Sequence, residues 1–128
     1  MKNRILVDTT IWIEFFRSRS KSGDRLEKLL KEDAVWTCGI IMFEVLQGIK
    51  LEGEKNKILG VLAGLPYVEM TKKLWQTAAE LSIALKKNGV NVPLSDIFIA
   101  AIAVENGLSI YTLDKHFEQI PNLKLYKE

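Results

Sequence analysis

Short β-forming runs alternate along this chain with helix-length amphipathic segments, and that alternation restricts the fold more than any other property of the sequence. Arg4–Val7, Val35–Cys38, Tyr67–Met70, Leu108–Thr112 and Leu123–Tyr126 have the length and composition of strands. Between them, Leu26, Leu29 and Leu30 recur at helical spacing after Gly23–Asp24, as do Leu74, Ala78, Leu81 and Leu85 between Thr71 and Asn88. Gly89 stops that second helix, and the apolar stretch Ser95–Asn106 ends in Asn106–Gly107, another helix stop. Strands separated by helices pair in parallel, and parallel sheets are covered on both faces. The expectation is therefore an α/β fold in three α/β/α layers around a central, mainly parallel sheet of about five strands. No repeat, low-complexity stretch or linker interrupts the pattern, so residues 1–128 are expected to form one domain.

Composition removes several other classes. With 48% apolar and 27% charged residues the chain can bury an ordinary core, which excludes disorder, collagen and coiled coil. The longest uncharged stretch, Ile58 to Val68, has 11 residues and contains Pro66, too short and interrupted to cross a bilayer. Asp8 and Glu14 break any hydrophobic signal region after Lys2 and Arg4, so the expected location is the cytoplasm. Cys38 is the one cysteine and lies in an apolar run, which reads as a reduced, buried thiol and speaks against a zinc site. A net charge of +2 speaks against a strongly basic nucleic-acid coat.

The acids are distributed less evenly. Five of the 16 are aspartates, and three of those five occupy equivalent places in the alternation. Asp8 follows the strand Ile5-Leu6-Val7, Asp114 follows Ser109-Ile110-Tyr111-Thr112, and Asp96 stands at the start of an apolar helix after Pro93-Leu94-Ser95. Residues just past the carboxyl ends of parallel strands lie on the rim where such sheets bind ligands. Taken singly, each aspartate also reads as a helix N-cap. Glu44 sits inside Ile40-Ile41-Met42-Phe43-Glu44-Val45-Leu46, with Ile41, Val45 and Gly48 on its face. A carboxylate there costs several kcal/mol unless compensated; the alternative is a glutamate reaching out of a half-buried helix toward Lys50 or another cation.

Four converging carboxylates raise one another's pKa values and stay partly protonated unless a cation lies between them. Oxygen donors with no Cys or His nearby in the pattern select Mg²⁺ or Mn²⁺ over zinc or copper, and an open Mg²⁺ site usually meets its substrate through phosphate. Phosphodiester or phosphate-ester chemistry is the consequence.

At these residues the chain resembles the PIN-domain ribonucleases and, within them, the VapC-type toxins of toxin–antitoxin pairs. Val7-Asp8-Thr9-Thr10-Ile11-Trp12-Ile13-Glu14-Phe15-Phe16 is similar to the family's first-acid motif, with its hydroxyl two residues after the aspartate. Glu44-Val45-Leu46-Gln47-Gly48 is similar to the second, Pro93-Leu94-Ser95-Asp96-Ile97-Phe98-Ile99-Ala100-Ala101 to the third, and Thr112-Leu113-Asp114-Lys115-His116-Phe117 to the fourth. The four occur in order and span nearly the whole chain.

The resemblance implies a PIN fold and a Mg²⁺-dependent ribonuclease, with Mn²⁺ substituting. Asp8, Glu44, Asp96 and Asp114 are then the catalytic acids, Asp8 and Asp96 the metal ligands, and Thr10 and Thr112 supporting hydroxyls. It also implies an RNA substrate, a VapB-like antitoxin and a toxin homodimer. Arg17, Arg19 and Lys21, with Arg25 nearby, are candidate RNA phosphate contacts or simply a solvated basic loop. His116, beside Lys115 at a helix start, reads as a solvated surface residue rather than a general base. The first helix holds Ile11, Trp12, Ile13, Phe15 and Phe16, more apolar surface than one core-facing stripe needs, so it is either buried on two sides or part of an interface.

Other readings stay open at this level. One is a PIN nuclease in RNA processing without a toxin role. A phosphate-accepting receiver domain wants a second acid beside Asp8 and an aspartate where the middle strand ends at Cys38. A dehalogenase-type phosphatase wants an aspartate where Thr10 stands, and the full set of acids argues against a non-catalytic binding module. Setting the four site acids aside leaves 18 basic residues against 12 acidic, a balance of +6 for the rest of the molecule.

Overall fold

The computed structural model describes residues 3–17, 20–50 and 52–128. In chain order the elements are β1 (Ile5–Val7), α1 (Thr9–Arg17), α2 (Lys21–Lys31), β2 (Val35–Cys38), α3 (Gly39–Gln47), α4 (Glu52–Ala63), β3 (Tyr67–Val68), α5 (Lys72–Lys87), α6 (Leu94–Asn106), β4 (Ser109–Tyr111) and a 3₁₀ helix (Lys115–Gln119). The four strands form one parallel sheet in the order β3-β2-β1-β4.

β1 lies inside that sheet. Ile5 pairs with Val35 on one side and Ser109 on the other, and Val7 pairs with Tyr111. Successive strand side chains point to opposite faces, yet Ile5, Leu6 and Val7 are all at most 1% exposed. Both faces are therefore covered, as the three-layer expectation requires. The connections β1→β2 and β2→β3 move one way across the sheet and β3→β4 moves the other, so right-handed crossovers put α5 and α6 on the face opposite α1 and α2. The order reverses between β1 and β4, and the crevice beyond their carboxyl ends is where open α/β sheets place ligands.

Local chemistry sets the element ends. The Thr71 hydroxyl accepts the Leu74 amide at the start of α5, and Ser20 does the same for Gly23 at the start of α2. Gly107 closes α6 at φ +64°, a left-handed conformation that favours glycine.

The fifth expected strand is reduced to one bridge. Leu125 pairs with Ile110 in parallel, through Ile110 N–H to the Lys124 carbonyl at 2.9 Å and Tyr126 N–H to the Ile110 carbonyl at 2.8 Å. The approach through Pro121 and Asn122, the latter at φ +64°, brings the chain alongside β4 at that point alone. β3 is shorter than the expected Tyr67–Met70, and α4 was not anticipated as a helix. Cys38 is buried, and burial pushes its thiol up from the ordinary range. Among the described residues, no helix is long and apolar enough to cross a membrane.

Candidate metal centre

Asp8 leaves β1 directly and is 4% exposed. Its amide donates to the Tyr111 carbonyl at 2.9 Å, and its own carbonyl accepts from Ile11 and Trp12, which starts α1. The buried Trp12 indole N–H returns to the Val7 carbonyl at 3.1 Å, closing the turn from the other side. The carboxylate is held by hydroxyls: Thr112 Oγ1 donates to Oδ2 at 2.7 Å and Thr10 Oγ1 donates to the same oxygen at 3.0 Å. Each hydroxyl has one proton, so both donors are spent on Asp8 and their lone pairs serve the backbone. Thr10 accepts from Leu113 N–H at 3.1 Å and Thr112 from Asp114 N–H at 2.9 Å. One network thus joins the loops after β1 and β4. Burial pushes the Asp8 carboxyl up, the two hydroxyls and the Thr9 amide pull it back, and the Glu44 charge adds to the rise.

Asp96 stands in the first turn of α6, where the cap residue is Pro93 and no side chain caps the helix. The N-cap reading therefore fails for this aspartate. It is 7% exposed, and its buried Oδ2 has no hydrogen-bond partner. Its pKa is pushed up to about 6, chiefly by burial and then by the charges of Asp8 and Asp114, with His116 pulling down and Glu44 pushing up. Contacts draw the acids toward the same rim: Thr112 joins the Asp8 carboxylate to the Asp114 amide, His116 lies between Asp114 and Asp96, and Thr9 ties Glu44 to α1. A buried carboxylate oxygen that accepts no hydrogen bond is a donor that a hard cation satisfies.

Asp114 does cap a helix. Its Oδ1 accepts the His116 amide at 2.9 Å at the start of the 3₁₀ segment. The same turn carries the His116 ring back, so that Nδ1 lies 2.9 Å and 3.1 Å from the two Asp114 oxygens and 3.6 Å from Asp96 Oδ2. Asp96, Asp114 and His116 each offer one donor atom within 4.8 Å of the others. The surface reading of His116 is thus only half right: the side chain is 47% exposed, but its ring edge faces the acids. Its spacing two residues after a capping aspartate was the available signal.

Glu44 is half-buried on α3, flanked by the buried Ile41 and Val45. Thr9 Oγ1 donates to its Oε1 at 2.9 Å, so the compensating partner is a hydroxyl on α1 rather than Lys50. Thr9 was missed because no single-chain pattern links positions 35 residues apart.

The candidate phosphate contacts lie elsewhere. Arg17 ends α1 and Lys21 begins α2, both exposed, while Arg25 is half-buried and Arg19 lies outside the described residues. Eight residues of helix put Arg17 about 12 Å along α1 from the turn that bears Asp8. On the same helix Ile11 and Trp12 are buried, Trp12 stacks on Phe16 at 5.8 Å, and Ile13 is 41% exposed. The helix therefore buries most, but not all, of its apolar side chains within the fold.

The PIN domain family model matches residues 5–123. Ribonuclease VapC21 of Mycobacterium tuberculosis is 32% identical over 101 residues, which cover 75% of this chain and 72% of that protein. Ribonuclease VapC11 of the same organism is 29% identical over 124 residues, 93% of this chain and 92% of that one. The crystal structure of VapBC2 from Rickettsia felis bound to a DNA fragment from its promoter superposes with a TM-score of 0.81 at 23% identity, over 95% of this chain and 96% of that one. The matched span runs from β1 past the 3₁₀ helix and includes the four-stranded sheet and Asp8, Glu44, Asp96 and Asp114; the chain belongs to the PIN-domain family, alongside its VapC members.

Proposed function

We propose that this protein is a divalent-metal-dependent endoribonuclease that acts as the toxin of a VapBC-like toxin–antitoxin pair. The observation that carries the reading is Asp96, a buried carboxylate with one oxygen unpartnered, its pKa pushed up to about 6 in the company of Asp8, Asp114 and Glu44. VapC11 and VapC21 are ribonucleases by name, and the superposed structure is a VapBC complex bound to promoter DNA.

Asp8 and Asp96 are the residues that would hold a cation of the Mg²⁺ or Mn²⁺ class, with Glu44 and Asp114 completing the acidic rim. When bound, such an ion supplies a water of lowered pKa and stabilises charge on the phosphate. Thr10 and Thr112 fix the orientation of Asp8, the role that hydrogen-bonded neighbours of metal ligands ordinarily play. Asp114 is fixed in turn by the His116 amide. No side-chain nucleophile is required, and the one thiol, Cys38, is buried with its pKa raised. Arg17 and Lys21 are exposed and could meet the phosphate backbone at a distance from the acids.

The partner side of the proposal rests on exposed apolar residues. Phe43, Trp75, Ile83 and Leu94 are each more than half exposed and offer apolar side chains to an antitoxin or a second copy of the chain. The test is cleavage of RNA by the purified protein with and without EDTA, followed by sequencing of the RNA ends, with Asp8→Asn as control. Cleavage that EDTA abolishes and Asp8→Asn lacks is expected. Cleavage indifferent to EDTA, or full activity in a folded Asp96→Asn protein, overturns the reading. Loss of cleavage on adding the product of an adjacent small DNA-binding gene separates the toxin role from general RNA processing.

A further inference from the structure

Resting on the cation site just proposed, we propose that His116 is a nitrogen ligand of that cation, so that the centre is a mixed imidazole–carboxylate site preferring Mn²⁺ or a similar first-row transition ion over Mg²⁺. Two donors each about 2.1–2.2 Å from one ion stand about 3 Å apart when adjacent and about 4.3 Å apart when opposed. His116 Nδ1 and Asp96 Oδ2 are 3.6 Å apart, inside that window and too far for a hydrogen bond. Asp96 Oδ2 is buried and accepts no hydrogen bond, and the histidine nitrogen is the group that faces it.

The ring is placed by backbone geometry rather than by a free side chain. Asp114 accepts the His116 amide at 2.9 Å, and that capping turn holds Nδ1 beside the Asp114 carboxylate and in front of Asp96. A ligating imidazole presents its nitrogen lone pair to the ion, so His116 would bind through Nδ1 in its neutral form. An imidazole suits Mn²⁺, Fe²⁺, Co²⁺ or Zn²⁺, whereas Mg²⁺ takes oxygen. The all-oxygen donor set expected from the sequence is thereby changed at one position.

Titration of the full-length protein with Mn²⁺, followed by loss of the free-ion paramagnetic resonance signal, gives affinity and stoichiometry, and spin-echo spectroscopy of the bound ion reports any directly coordinated nitrogen. The wild type is expected to bind Mn²⁺ with a nitrogen hyperfine coupling and to require about tenfold more Mg²⁺ for displacement. His116→Ala, shown folded by circular dichroism, is expected to lose that coupling and about 10- to 100-fold in Mn²⁺ affinity, while Mg²⁺ binding changes less than twofold. If Mn²⁺ binds and Asp96→Asn removes it, but no nitrogen coupling is seen or His116→Ala leaves both affinities unchanged, the histidine only orients Asp114 and the proposal fails while the cation site stands. If the wild type takes up no Mn²⁺ at millimolar concentration, the cation site itself fails and the histidine's role with it.

Discussion

Asp96 is under two opposed demands, since a buried carboxylate suits a cation but weakens the fold that must hold it. Its folded pKa of about 6 lies above the ordinary value of 3.8, so without metal the folded protein keeps a proton that the unfolded chain has already released. Stability therefore falls as pH rises from about 4 to about 6. Urea denaturation in EDTA is expected to show that decline, with this group contributing of order 1–3 kcal/mol by pH 7. Asp96→Asn is expected to lack that contribution and to be the more stable protein at pH 7, though inactive. A variant no more stable than wild type at pH 7 would contradict the burial argument. Thr112→Val tests the neighbouring contact, since valine keeps the volume but loses the 2.7 Å hydrogen bond to Asp8. The expected result is a folded protein whose cleavage rate falls about 10- to 100-fold.

At the scale of elements, the alternation of strand and helix was legible because each element carries its own local signal. β2 spans the expected Val35–Cys38, and α5 is capped by Thr71 and Asn88, the two residues that bounded the expected helix. Thr71→Ala is expected to lower stability by about 1 kcal/mol while leaving cleavage unchanged, as thermal unfolding and the nuclease assay will show. α4 was not legible. It contains Gly53 and Gly60 and buries only Ile58 and Leu62, so its apolar stripe is too thin to register as a period and its packing on α3 completes it. The fifth strand was read from β-forming residues alone, which do not reveal how long a segment stays beside its neighbour.

For the whole molecule, a cation that binds only the folded state raises stability by mass action. At one hundred times its Kd the gain is about 2.7 kcal/mol, and a scan with Mn²⁺ against EDTA is expected to raise Tm by about 5–10 °C. Asp96→Asn is expected to abolish the shift; an equal shift in that variant would place the ion elsewhere. The charge balance fits the same picture. With the four candidate acids set aside a net +2 becomes +6, and a cation held among those acids would reverse the local sign for an approaching phosphate.

The sequence by itself determined the class of fold, because strand runs and helix periods are local and leave a pattern along the chain, and it singled out Asp8, Glu44, Asp96 and Asp114 as candidates through their motifs. It also pointed to Thr10 and Thr112, each two residues from an acid in the motifs. Tertiary structure alone decided how those groups are partnered: Thr9 on Glu44 across 35 positions, Thr112 on Asp8 across 104, and His116 turned toward an Asp96 oxygen that has no other partner. Such pairings depend on where the turns after β1 and β4 bring side chains of different elements together, and a hydrogen bond or an unmet donor has no period by which a sequence can announce it.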